Sequence, residues 1–120
     1  MKKKIAILGS TGSIGKNTVN IIQNNKKDFD VIFLSTNTNV KELYNQAIIL
    51  HPKAVIIFNE KKYLKFKKKF LKKKIRVYSS FKELKSSIIK KKIDYLMCAI
   101  SGLAGLDSTI NFIDITKNIA

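Results

Sequence analysis

The residues with the clearest chemical potential are glycines. The run Lys4-Ile-Ala-Ile-Leu-Gly9-Ser-Thr-Gly12-Ser-Ile-Gly15 places three of them at three-residue intervals, after an apolar run and before an amphipathic one. A chain that turns sharply out of a strand, lets its backbone approach a pyrophosphate and packs a helix start against a sheet needs a residue without Cβ for each task. The N–H groups of the first helical turn then face the phosphates, and the helix dipole favours their charge. Gly9, Gly12 and Gly15, with the hydroxyls of Thr11 and Ser13, are therefore candidate phosphate-binding residues. Gly15-Lys16 superficially suits a nucleotide-triphosphate loop. That motif needs glycine where this chain has Ser10, and Ser or Thr where it has Asn17, so it fails twice.

The second informative stretch is Leu34-Ser-Thr-Asn37-Thr38-Asn39-Val40-Lys41. A dinucleotide fold that holds an unphosphorylated ribose usually places Asp or Glu here, about 20 residues beyond the glycines. No carboxylate is present to repel a 2′-phosphate. Asn37, Thr38 and Asn39, with Lys41 nearby, favour NADP over NAD. A further pair, Ser101-Gly102-Leu-Ala-Gly105, follows a later apolar run; it suits a cofactor flank and a plain strand-to-helix turn about equally.

Other features tempt but are set aside. Tyr63-x-x-x-Lys67 matches a short-chain dehydrogenase pair, but in a stretch where lysine is so frequent that chance produces it. His51, beside Pro52, reads as a helix-end residue capping carbonyls, and Cys98 as a small apolar residue within a strand. Asp94, Asp107 and Asp114 have no second ligand at suitable spacing, so no metal site is expected within these residues.

Apolar runs and helical periodicities alternate around these motifs. Strands are expected at Lys4–Leu8, Asp30–Ser35, Ala54–Phe58, Ile75–Tyr78 and Asp94–Ile100. Most are continuous in Ile, Val and Phe, the pattern of strands covered on both faces. Helices are expected at Ser13–Asn25, with Ile14, Thr18, Ile21 and Ile22 inward, and at Val40–His51, with Val40, Leu43, Tyr44, Ala47 and Ile48 inward. Further helices are expected at Glu60–Lys73, with Tyr63, Leu64, Phe66, Phe70 and Leu71 inward; at Phe81–Lys91 behind a Ser80/Glu83 capping box; and at Leu106–Lys117. The rhythm implies an α/β, Rossmann-like doubly wound parallel sheet in one domain spanning 1–120. It calls for another strand at Ile119-Ala120, so the chain reads as truncated at its C-terminus.

Composition bounds the partners. Lys plus Arg is 24 against 8 for Asp plus Glu, a net charge of +16. Such a balance raises nucleic acid as a partner. Only Arg76 is arginine, however, and specific phosphate and base readers favour its bidentate fork. A Lys-, Ile- and Asn-heavy chain also follows from AT-rich coding, so the lysines are read as solvated faces. No apolar run approaches the ~18 residues of a membrane span. The basic start reaches only four apolar residues, Ile5–Leu8, before the glycine turn, so it reads as a first strand and not a signal for export. A single cysteine fits a reducing compartment.

The nonapeptide Ile7-Leu-Gly9-Ser-Thr-Gly12-Ser-Ile-Gly15 resembles the opening of the 1-deoxy-D-xylulose 5-phosphate reductoisomerases. Ala99-Ile-Ser-Gly102-Leu-Ala-Gly105-Leu106 resembles that family's stretch after its fifth strand. The resemblance covers essentially the whole chain. It implies an N-terminal NADPH-binding domain, with Thr11, Gly12, Ser13 and Ile14 on the pyrophosphate loop and Asn39 on the family's asparagine after strand two. Many members carry Gly-Lys where this chain has Asn37-Thr38. The resemblance further implies a phosphorylated-sugar substrate, a divalent Mg or Mn ion, a homodimer of the full-length enzyme and a cytoplasmic or plastid-type location. It places the catalytic residues and the metal ligands beyond Ala120, so none is expected in this chain, and these residues alone are expected to be inactive. Two other readings are an atypical short-chain NADP-dependent reductase and a basic nucleic-acid-binding α/β module.

Overall fold

The computed structural model describes residues 2–80, 82–84 and 93–99, and the backbone of 116–119. The elements are β1 (Lys3–Leu8), α1 (Ser13–Asn24), β2 (Phe29–Thr36), α2 (Val40–Leu50), β3 (Ala54–Ile57), α3 (Glu60–Leu71), β4 (Arg76–Tyr78), β5 (Ile93–Cys98) and β6 (Thr116–Ile119). The strands form one six-stranded sheet in the order β4-β3-β2-β1-β5-β6. All of its pairings are parallel. The chain thus builds outward from β1 to β4, then returns to the other side of β1. This reversal is the topological switch point at which open α/β sheets bind ligands.

The continuous apolar strands are covered on both faces, as their composition predicts. One cluster joins Ile5, Ile7, Val31, Leu34, Val55 and Ile57 to Val19 and Ile22 of α1, to Leu43 and Ala47 of α2, and to Phe70 of α3. The other joins Ala6, Leu8, Ile32, Phe33, Ile56, Ile93 and Leu96 to Leu84. A register shift between Ile5 and Ala6 leaves Ile32 as an extra residue on β2. Ile32 and Phe33 therefore serve the same cluster although they are consecutive.

Local chemistry sets the helix limits. Asn59 caps α3 by accepting the Lys62 N–H at 3.0 Å, and Asn39 caps α2 by accepting the Glu42 N–H at 3.3 Å. At the end of α2, His51 adopts the left-handed conformation and donates its N–H to the Ala47 carbonyl at 2.8 Å. It closes the helix through its backbone before Pro52 forbids continuation. The Ser80 hydroxyl accepts the Glu83 N–H at 3.4 Å, while the Glu83 carboxylate accepts from the Ser79 N–H at 3.4 Å, one residue earlier than a standard capping box. Beyond residue 84 the helix expected there lies outside the described residues, as does the body of the one expected at Leu106–Lys117. The latter cannot reach Lys117, because Thr116 begins β6.

The inward faces of the helices differ from expectation. On α1 the buried stripe is Gly15, Val19 and Ile22, whereas Ile14 and Ile21 are exposed. The close approach of Gly15 to the loop turns the helix so that its own row faces the sheet. On α2, Gln46 and Leu50 are buried and Ile48 is exposed. On α3 only Phe70 is fully buried; Tyr63 and Phe66 pack on the core edge, and Leu64 and Leu71 are exposed. The short edge strand β4 offers α3 too little width for a broader contact.

Candidate dinucleotide site

The glycine run joins the carboxyl end of β1 to the start of α1, and its three glycines meet three different demands. Gly9 has φ 80°, a left-handed conformation that a side chain would strain. A Cβ on Gly15 would collide with the Gly9 carbonyl and lie 2.6 Å from the Ser10 Cα, so this glycine lets α1 pack against the loop. Gly12 is different. Its φ is −80°, and the nearest atom to an added Cβ is the Gly9 carbonyl oxygen at 3.8 Å, an ordinary contact. Among the described residues nothing packed near Gly12 requires glycine, whereas a group approaching from solvent would.

The start of α1 is chemically open. Gly12 is its N-cap, no side chain caps it, and its first turn carries no acidic residue. The first intrahelical bond runs from the Lys16 N–H to the Gly12 carbonyl at 2.8 Å, so the N–H groups of Ser13, Ile14 and Gly15 precede the ladder. Gly12, Ser13 and Ile14 are all exposed.

The loop is clamped from beneath. The Gly9 N–H donates to the Ser35 hydroxyl at 2.8 Å, and the Ser10 N–H donates to the Ser35 carbonyl at 3.0 Å. The Ser10 hydroxyl reaches the same carbonyl at 3.3 Å. The Thr11 and Thr36 hydroxyls share a hydrogen bond of 2.8 Å. From α2, the Gln46 side-chain amide donates to the Ser10 carbonyl at 2.8 Å. The sequence patterns above do not single out Ser10, Ser35, Thr36 or Gln46. The detectable signal was a glutamine on the apolar stripe of α2, between Leu43 and Leu50.

The Thr11–Thr36 bond also brings the two sequence-predicted groups together, since Asn37, Thr38 and Asn39 follow Thr36 directly and are exposed. The Asn39 side-chain oxygen is engaged in capping α2. Asn37 uses its carbonyl to accept the Asn59 N–H at 3.1 Å, which leaves its side chain out of that contact. On the other side of β1, the Ala99 N–H donates to the Leu8 carbonyl at 2.8 Å, so the chain leaves β5 beside the loop. The Ser101–Gly105 segment that follows lies outside the described residues.

Cys98 pairs with Leu8 at this end of the sheet, beside the loop, whereas His51 stands at the opposite end; Asp107 and Asp114 lie outside the described residues. Tyr63 and Lys67 lie on α3, which packs on β3 and β4, and the Lys67 ammonium sits 5.6 Å from the Tyr63 ring centre. Among the described residues no group of His, Cys, Asp and Glu could hold a metal ion, and no helix is long and apolar enough to cross a membrane. A cavity of about 260 Å³ lined by Lys2, Lys26, Asp30 and His51 opens elsewhere, beside the starts of β1 and β2.

Comparison with known proteins fits this geometry. Residues 5–120 match the family model of 1-deoxy-D-xylulose 5-phosphate reductoisomerase. The reductoisomerase of Pelagibacter ubique is 41% identical over 119 residues, covering 98% of this chain and 31% of the relative. That of Phocaeicola vulgatus is 40% identical over 120 residues, again 31% of its length. The chain thus spans about a third of the curated relatives it matches. Among solved structures, the Zymomonas mobilis reductoisomerase in complex with NADPH superposes over the whole chain with a TM-score of 0.89 and 30% identity, covering 31% of that structure. A reductoisomerase in complex with NADPH, fosmidomycin and magnesium gives 0.85 at 28% identity over 98% of this chain and 29% of that one. The sheet order, the glycine loop and these matches together place the chain in the 1-deoxy-D-xylulose 5-phosphate reductoisomerase family.

Proposed function

We propose that residues 1–120 form the NADPH-binding domain of an enzyme that converts 1-deoxy-D-xylulose 5-phosphate to 2-C-methyl-D-erythritol 4-phosphate. The observation that carries the reading is the uncapped, acid-free start of α1, with Gly12 open toward solvent. The exposed Ser13 and Ile14 N–H groups receive the pyrophosphate, and Thr11 and Ser13 add hydroxyls to the same mouth. Asn37, Thr38 and Asn39 take the ribose end. Because Asn39 caps α2 with its oxygen, only its amide nitrogen remains to donate. Lys41 supplies the local positive charge.

When bound, NADPH supplies hydride. This domain binds the cofactor and fixes its position. We assign the magnesium or manganese ligands, the groups that hold the phosphorylated sugar and a homodimer contact to the part of the enzyme outside this chain, acting in the cytoplasm or a plastid-type organelle. Residues 1–120 alone are then inactive. The test is fluorescence titration with NADPH, followed by an assay with 1-deoxy-D-xylulose 5-phosphate and Mg²⁺ or Mn²⁺. Binding without turnover supports the reading. Absence of binding, or metal-dependent oxidation of NADPH by these residues alone, contradicts it.

A further inference from the structure

Gln46 is only 4% exposed, on the face of α2 that otherwise buries Leu43, Ala47 and Leu50. Its amide nitrogen donates to the Ser10 carbonyl at 2.8 Å, across 36 positions of sequence. Its amide oxygen is buried and has no hydrogen-bond partner among the described residues. The amide cannot turn over to relieve this, because its oxygen would then face the Ser10 oxygen. A leucine or methionine would fill the position without an unpaired acceptor, so the core alone gives no reason for glutamine. What glutamine adds is the grip on Ser10.

That grip has a geometric consequence. The peptide between Ser10 and Thr11 is planar and, like all others described, not cis, so its C=O and N–H point in opposite directions. Drawing the Ser10 carbonyl toward α2 turns the Thr11 N–H away from α2. Ser35 fixes the two preceding peptides, one through the Gly9 N–H and the other through the Ser10 N–H. Gln46 therefore sets the Ser10–Thr11 peptide, one peptide before the one that leads into Gly12 at the open start of α1.

We propose that Gln46 is a positioning residue for the dinucleotide loop: it orients the Ser10–Thr11 peptide so that the loop's donors are set for a pyrophosphate before the cofactor arrives. This rests on the NADPH reading above. Because the pyrophosphate is common to both nicotinamide dinucleotides, loss of Gln46 weakens NADPH and NADH by the same factor and leaves their ratio unchanged.

The experiment titrates NADPH and NADH against the unmodified protein, Gln46→Met and Gln46→Glu, each across pH 5.5–8.5, with folding followed by circular dichroism. Gln46→Met is expected to fold and to bind both cofactors about tenfold more weakly. In Gln46→Glu the buried carboxylate repels the Ser10 carbonyl at high pH. When protonated it regains a donor, and burial raises the pH at which this occurs. Its affinity relative to the unmodified protein should recover as pH falls. A folded Gln46→Met variant that binds like the unmodified protein overturns the proposal and leaves the NADPH reading intact. So does a Gln46→Glu defect that is independent of pH, which also decides the matter if Gln46→Met fails to fold. An unmodified protein that binds neither cofactor overturns both.

Discussion

Gly15 lies so close to Ser10 that a Cβ on it would stand 2.6 Å from the Ser10 Cα and 2.8 Å from the Ser10 carbonyl carbon. Both are backbone atoms, and Ser10 is held by hydrogen bonds to Ser35 and Gln46. The loop cannot step aside without breaking them. Gly15→Ala should therefore destabilise the fold by about 1–3 kcal/mol, the usual cost of overpacking. Thermal melting checks this; a variant that melts like the unmodified protein would show that α1 can shift freely.

Gly12 should behave in the opposite way. Its backbone conformation is open to any residue, and among the described residues an added Cβ meets only an ordinary contact. Gly12→Val should melt within a few degrees of the unmodified protein but lose NADPH affinity by at least tenfold, because the branched side chain occupies the path to the α1 N–H groups. Undiminished binding by folded Gly12→Val would place the pyrophosphate elsewhere.

Ser35 supports the loop through its hydroxyl, which accepts the Gly9 N–H at 2.8 Å. Ser35→Ala leaves that N–H without its acceptor at a partly buried position. A loss of about 1–3 kcal/mol is expected, measurable as a lower urea midpoint at unchanged slope. An unchanged midpoint would mean that the clamp contributes nothing to stability.

The sequence was most legible where one residue type has one physical use. Continuous Ile and Val runs marked the parallel strands, Pro52 marked the end of α2, and the strand–glycine–helix context marked the loop. The helix faces were less legible. Ile14 and Ile21 fit a helical stripe, but the contact of Gly15 with the loop, a tertiary fact, turned that stripe outward. Leu64 and Leu71 were misplaced because periodicity cannot reveal how narrow the strand edge beneath a helix is. The clamp was missed for a related reason. Ser35 and Thr36 are ordinary β2 residues until the extra residue at Ile32 fixes which face each takes, and a one-residue slip would exchange them.

Lysines of α3 contact aromatic rings. Lys69 sits 4.2 Å from the Tyr44 ring centre, and Lys65 sits 5.5 Å from that of Phe66. Their ammonium groups lie over the aromatic rings, and both lysines are exposed. Replacing Lys61, Lys68 and Lys72 with glutamine should change NADPH affinity by less than about 0.5 kcal/mol, as surface changes usually do. A large, salt-sensitive loss of RNA or DNA binding in the same variant would instead revive the nucleic-acid reading.

In the proposed mode of binding, the end of β2 receives a 2′-phosphate. This is tested most directly by competition titration of NADPH against NADH in low salt, on the unmodified protein and on Asn37→Asp. With no carboxylate among Asn37, Thr38 and Asn39, NADPH should bind more tightly, and the introduced aspartate should narrow or reverse the gap. Equal affinities in the unmodified protein, or a preference for NADH, would contradict the account.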